Sequence, residues 1–170
     1  KRTILLSLFC LAGIVMANAQ KFALIDMEYI MENIPEYQQA NNELELASQQ
    51  YQKAVEAKAK EAEALYLAYQ KAANTLSATQ RTQKEEAIVA KEREAAELRK
   101  KYFGPEGEMA QKQEALIAPI QNRIYEAVKQ ISSQKGYDAV IDRASATSII
   151  FASPRIDISN EVLAKLGYSN

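Results

Sequence analysis

The side chains that most often carry chemistry are scarce in this sequence. Histidine and tryptophan are absent from its 170 residues, and cysteine occurs once, at Cys10. No imidazole is available as a base, as a partner for a serine or cysteine nucleophile, or as a metal ligand. A single thiol excludes an intramolecular disulfide and a thiolate metal cluster. No Gly-x-x-x-x-Gly-Lys-Ser/Thr loop is present to cradle a nucleotide phosphate, so ATP-driven work has no support. The 22 carboxylates are balanced by 21 Lys and Arg, and a near-neutral chain has no global attraction for nucleic acid. The carboxylates fall in no pocket-forming context. The expectation is a protein that is not an enzyme and uses no cofactor or metal.

What remains is contact chemistry. Tyr51, Val55, Leu65, Tyr66, Tyr69 and Leu76 can offer weak apolar contacts, tyrosine being apolar in its body and polar at its tip. The same residues can instead pack helix against helix, above all Tyr51, Leu65 and Tyr69; Tyr66 lies off the seam. Between Glu63 and Glu85 there is no acid, while Lys71, Arg81 and Lys84 are present. This basic segment would meet anionic lipid surfaces or acidic protein segments through weak, salt-sensitive contacts, or serve only as a solvated helix end. Gly104, Pro105 and Gly107 are candidates for a hinge.

These residues must be positioned by helices. From Glu36 to Phe103 there are 68 residues without Gly or Pro, dominated by Ala, Glu, Gln, Lys and Leu, the strong helix formers. The stretch holds ten residues from Leu, Ile, Val, Phe and Met, plus five Tyr, too few for a globular core. Its rhythm is sevenfold: Tyr37, Leu44, Tyr51, Lys58, Leu65 and Ala72, with Ala40, Ala47, Ala54 and Ala68 three residues after members of that series. This predicts a thin coiled-coil-like seam, interrupted at Lys58 and Glu61. Asn33 is expected to cap the first helix with Glu36 completing a capping box, and Ser77 with Gln80 to cap the returning one. The turn falls near Asn74–Ser77. The returning helix shows Ile88, Ala95 and Tyr102 at sevens with Leu98 between, and Gly104-Pro105-Glu106-Gly107 breaks it. Beyond the break, Leu116, Ile117, Ile120, Ile124, Val128 and Ile131 mark a strong apolar helix face, which Gly136 ends.

The two ends of the chain read differently. Lys1 and Arg2, the apolar run Ile4–Val15 and the small-x-small site Ala17-Asn18-Ala19 predict a signal peptide over residues 1–19, cleaved before Gln20. A lipoprotein signal acylated at Cys10 is disfavoured by Phe9. Removing Lys1 and Arg2 leaves 19 basic against 22 acidic residues and no thiol. Lys21–Asp26, Tyr137–Asp142 and Ser148–Ala152 read as strands, the last two as a hairpin, and a short helix follows through Leu166. The organisation expected is α+β. Residues 20–35 and 108–170 form a small three-strand body with its packed helices, and residues 36–107 form a helical hairpin arm inserted between the first and second strands. Phe22, Leu24, Ile25, Val140, Ile141, Ile149, Ile150 and Phe151 would form the body's core. A core of that size gives only a few kcal/mol net of ordering entropy, so oligomerisation through the strands is the natural remedy.

Together these segments resemble the Skp/OmpH-like periplasmic chaperones. The resemblance spans the chain after the signal: Phe22-Ala23-Leu24-Ile25-Asp26, Ile34-Pro35-Glu36-Tyr37 opening a long Gln/Glu/Ala helix, Tyr137-Asp138-Ala139-Val140-Ile141-Asp142-Arg143, Ile149-Ile150-Phe151-Ala152, and Asp157-Ile158-Ser159 before a helix ending Leu166-Gly167. It implies a homotrimer whose strands form a β-barrel, with three helical tentacles enclosing a cavity. It further implies a periplasmic holdase that binds unfolded outer-membrane proteins without ATP. The acidic balance after cleavage and the Gly-Pro-Glu-Gly break depart from the family's pattern, and no lipopolysaccharide site maps onto these positions. The alternative from the residues alone is a structural coiled-coil adaptor or spacer of the cell envelope, which would want a continuous apolar seam and a conspicuous tip patch.

Overall fold

The computed structural model describes residues 20–168; the expected signal peptide lies outside them. In chain order the elements are β1 (Phe22–Ile25), α1 (Met27–Glu32), α2 (Pro35–Ala72), α3 (Ala78–Phe103), α4 (Glu108–Lys135), β2 (Ala139–Asp142), a 3-10 turn (Pro154–Ile156) and α5 (Ser159–Leu166). They fall into two compact units. One holds the residues up to Ile30 and those from Tyr125 on, and the other holds Met31–Ile124.

The first unit is organised on β1. It pairs with β2 in parallel, Phe22 opposite Ala139 through Ile25 opposite Asp142. A parallel pair demands a crossover, and here the crossover is the whole segment from α1 to α4. On its other side β1 meets the chain again: the Ile158 N–H donates to the Leu24 carbonyl at 2.9 Å, and Leu24 bridges Asp157. Ala23, Leu24, Ile25, Ile131, Val162 and Leu163 are buried in this unit. Gly136 (φ 68°) ends α4 in the left-handed conformation that a residue without Cβ adopts at no steric cost.

The expected third strand does not form within the chain. Residues 148–153 carry no ladder, and the sheet has two strands. The reason lies just after β2. Instead of turning back along β2, the chain curls over the end of the sheet: the Arg143 N–H donates to the Ile25 carbonyl (2.8 Å) and Ala146 N–H to the Asp142 carbonyl (3.1 Å). Of the core expected from sequence, Leu24 and Ile25 are buried, Val140 and Ile149 are half-buried, and Phe22, Ile141, Ile150 and Phe151 are exposed.

The second unit is a helical hairpin followed by the first half of α4. The 38 residues of α2 extend about 57 Å at 1.5 Å per residue. The residue before the helix is Ile34, one position later than the expected Asn33, and the Ile34 side chain makes no cap bond. Pro35 occupies the first turn, where its missing N–H costs nothing and its fixed φ suits the helix. At the turn the Ser77–Gln80 capping box is complete in both directions, with the Ser77 hydroxyl accepting the Gln80 N–H and the Gln80 side chain accepting the Ser77 N–H. Tyr37, Leu44, Tyr51, Lys58, Leu65 and Ala72 are all half-buried, as the sevenfold rhythm requires, and Ala40 is buried. Ala68 is exposed; Ala62 and Tyr69 carry the seam there instead. Pro119 sits inside α4 without ending it.

Candidate functional site

The surface expected to make contacts is that of the hairpin, and most of its residues are already engaged. The Tyr51 ring stacks on Tyr102 with centroids 4.1 Å apart and planes 6° from parallel, while Phe103 meets it edge-on at 6.3 Å. The Tyr51 hydroxyl bonds the Glu108 carboxylate, which together with desolvation raises the phenol above its ordinary pKa. Glu108 also pairs with Lys101 at 3.2 Å. It is held below the usual carboxylate range by Tyr51 first and Lys101 second. Tyr51 therefore belongs to the seam. Tyr69 does too, since its hydroxyl donates to Glu85 across the hairpin. Leu65 and Leu76 are half-buried.

Two of the six candidates border open grooves. Val55 lines one of about 340 Å³ with Gln52, Glu56, Arg99 and Phe103. Tyr66, nearly half exposed, lines another of about 420 Å³ with Ala59, Ala62, Glu63, Glu92 and Ala95. Sequence reasoning missed the outward apolar side chains Leu46, Leu67 and Val89. The signal was present: Leu46 and Leu67 stand two residues after seam members, and Val89 one residue after Ile88, so they face away from the partner helix.

At the tip, Lys71 and Lys84 are exposed. Arg81 is engaged, its Nη2 donating to the Ala73 carbonyl at 2.9 Å, where it closes the turn by satisfying an end-of-helix carbonyl.

The candidate hinge is a tight corner. A Cβ on Gly104 would lie 2.4 Å from the Lys100 carbonyl oxygen; on Gly107 it would lie 2.8 Å from the carbonyl oxygens of Lys101 and Tyr102. Gly107 N–H donates to the Gly104 carbonyl at 2.9 Å. The Tyr51–Tyr102–Phe103 stack lies directly before the corner and the Glu108 bridge directly after it. Further along α4, Lys112 pairs with Glu43 (2.5 Å) and Arg123 with Glu36 (3.1 Å), both on α2.

In the strand-bearing unit a polar cluster ties the chain ends together. Asp26 accepts from Arg143 Nη2 at 3.0 Å and from the Tyr29 N–H at 2.9 Å. The Asp26 N–H donates to Ser159 Oγ at 2.8 Å, and that hydroxyl donates to Asp157 at 2.6 Å. Arg143 also reaches Asp157 at 3.5 Å. Asp142 caps the start of α1 by accepting the Met27 N–H at 3.1 Å. Burial pushes the Asp142 carboxyl up, but the hydrogen bonds from Met27, Ser145 and Ala144 outweigh it, and its pKa falls below the usual value. Ser159 is buried and fully bonded. These are the aspartates of the strand motifs, and their work is structural. Among the described residues no group of three or more potential ligands could hold a metal, and no helix is long and apolar enough to cross a membrane.

A small parallel sheet whose crossover is a long helical hairpin defines the class of protein. The family model for outer membrane protein (OmpH-like) matches residues 21–166, and the chain belongs to that family, whose members are chaperones rather than enzymes. The chaperone protein Skp of Yersinia enterocolitica is 27% identical over 156 residues, covering 92% of each chain. The crystal structure of an OmpH-like protein from Caulobacter crescentus superposes with a TM-score of 0.66 at 13% identity, covering 86% of this chain and 83% of that one. At that identity the likeness is one of fold.

Proposed function

We propose that the protein is an ATP-independent holdase of the periplasm that keeps unfolded outer-membrane proteins from aggregating, in a cavity bounded by the helical hairpins of three copies. The observation that carries the reading is the apolar surface left bare on the strand-bearing unit of an OmpH-like chain. Ile150 is 101% and Phe151 85% exposed, and Phe22, Ile141 and Ile156 are also exposed in the same unit. Apolar exposure of this extent on so small a unit marks an interaction surface. Residues 148–152, rich in β-formers and outside any strand ladder among the described residues, supply a third strand once a neighbouring copy offers an edge.

Client contact falls to the outward apolar residues Leu46, Tyr66, Leu67 and Val89 and to the Val55–Phe103 groove. Scattered half-exposed apolar side chains among charges suit weak, sequence-tolerant holding. Lys71 and Lys84 are the tip cations free to make weak contact with an anionic membrane surface. The test combines mass in solution with aggregation suppression of an unfolded β-barrel membrane protein. The expected result is a trimer that suppresses aggregation without nucleotide; a monomer that leaves aggregation untouched overturns the reading.

A further inference from the structure

Midway along the hairpin the seam changes chemistry. Where the sevenfold rhythm reaches Lys58, the contact between α2 and α3 is ionic. Lys58 Nζ lies 3.2 Å from Glu61 and 3.6 Å from Glu94, and Lys91 Nζ lies 3.3 Å from Glu61 and 2.9 Å from Glu94. Two cations and two carboxylates thus close a ring in which each charge touches both opposite charges, and each helix contributes one of each. All four side chains are a third to a half exposed.

The hairpin differs on either side of this ring. Towards the corner lie the Tyr51–Tyr102–Phe103 stack and the Glu108 bridge. Towards the tip, every residue of α3 from Ala78 to Ala87 is exposed. Side-chain ties across that segment include Tyr69 to Glu85 and Arg81 to the Ala73 carbonyl. A segment with few buried apolar contacts opens at low free-energy cost.

We propose that the Lys58–Glu61–Lys91–Glu94 ring is an ionic clasp that stops the hairpin from opening beyond its distal part, so that ionic strength sets how far α2 and α3 separate. With the clasp closed, opening from the tip ends at Lys58 and Lys91. With the clasp weakened, it runs on to the aromatic stack, whose ring-on-ring contacts do not depend on salt. Contact pairs this exposed lose strength as salt competes for them, the screening length falling from about 10 Å at 0.1 M to about 3 Å at 1 M. For capture, and resting on the chaperone reading above, the consequence is that Ala54, Ala95 and Leu98, half-buried between the clasp and the stack, become available to clients when the clasp weakens.

Hydrogen exchange of the whole protein at the two salt concentrations tests the clasp. Amides from Gln52 to Lys58 and from Lys91 to Leu98 should exchange roughly fivefold faster at high salt, while those from Arg99 to Phe103 keep their rate. Lys91→Glu should reproduce the high-salt pattern at low salt. The full reversal, Lys58→Glu, Glu61→Lys, Lys91→Glu and Glu94→Lys together, should restore protection, because it rebuilds the ring with its signs exchanged. Uniform softening along the hairpin, no salt effect, or no rescue by the reversal overturns the proposal. Aggregation suppression by the same variants separates the two claims. Unchanged suppression by an opened Lys91→Glu hairpin refutes the role of the bared seam in capture and leaves the clasp to the exchange data.

Discussion

Replacing Phe151 by alanine should leave the single chain intact and undo its assembly. The ring is 85% exposed and no described residue stacks on it, so the chain loses little packing when the ring is removed. If three copies bury Phe151 on associating, each substitution forfeits about 2 kcal/mol of apolar transfer, or about 6 kcal/mol per trimer, which weakens the association constant by a factor of about 10⁴. Adding Ile150→Ala, which removes another fully exposed side chain, should weaken association by a further factor of about 10⁴ on the same reasoning. Sedimentation across a concentration series reads the mass, and far-ultraviolet circular dichroism reads the helix content. The expected outcome is a helical protein whose mass falls towards that of one chain on dilution. A variant with unchanged mass at every concentration would refute the assignment of this surface, and one that loses its helices would refute the claim that the single chain does not depend on Phe151.

Other predictions concern the fastening of each unit. Gly107→Ala should destabilise the hairpin by about 1–3 kcal/mol through forced overlap with backbone oxygens, read as a lower denaturation midpoint; a variant as stable as the parent would show that the corner is loose. Tyr51→Phe should melt close to the parent because the stack survives, whereas Tyr51→Ala should melt lower, and equal melting of the two would show that the ring contributes nothing. Ser159→Ala leaves the Asp26 N–H without its acceptor at a cost of about 1–3 kcal/mol, measurable by urea unfolding. Glu61, Glu94 and Glu108 are all held below the ordinary glutamate value of 4.5 by their lysine and tyrosine partners. A depressed folded pKa gives stability that is fully present above the unfolded value and is lost as pH falls through the folded one. Melting temperature should therefore drop as pH falls from about 5 to about 3, and a flat profile over that range would contradict the assigned partners.

The hairpin was legible because helix formers, caps and a sevenfold rhythm act within one chain over short distances. Ser77 and Gln80 bond each other as their spacing requires, and Ile88, Lys91, Ala95, Leu98 and Tyr102 are the inward residues of α3. What the rhythm could not reveal is which tyrosines are spent. Tyr51 and Tyr69 sit on the seam, and their hydroxyls find carboxylates on the facing side; the pairing depends on how the two helices align, which spacing within one helix does not fix. The same holds for Lys58 and Glu61, which read as a flaw in the seam until Lys91 and Glu94 are placed opposite them. The helix starts one residue later than expected because Pro35, with its fixed φ, sets the first turn and leaves Ile34 at the position before it.

The third strand fails for a different reason, which points beyond the single chain. Residues 148–152 have the composition of a strand, but β1 is already occupied on both sides, by β2 and by Asp157–Ile158. Among the described residues, the outer edge of β2 is the sheet edge left. Reaching it would require the chain to fold straight back after Asp142. That return competes with the bonds of Arg143 to Asp26 and Asp157 and with the Arg143 N–H bond to Ile25. A strand former kept from its nearest edge by a charged, hydrogen-bonded turn is poised to pair with an edge on another molecule. Substituting Arg143 by alanine removes its side-chain bonds to Asp26 and Asp157 while keeping its N–H bond to Ile25, which loosens the turn, so residues 148–152 should begin to pair with β2 of their own chain. The mass in solution should then fall while strand content is retained. Loss of both together would instead mean that Arg143 holds the unit itself.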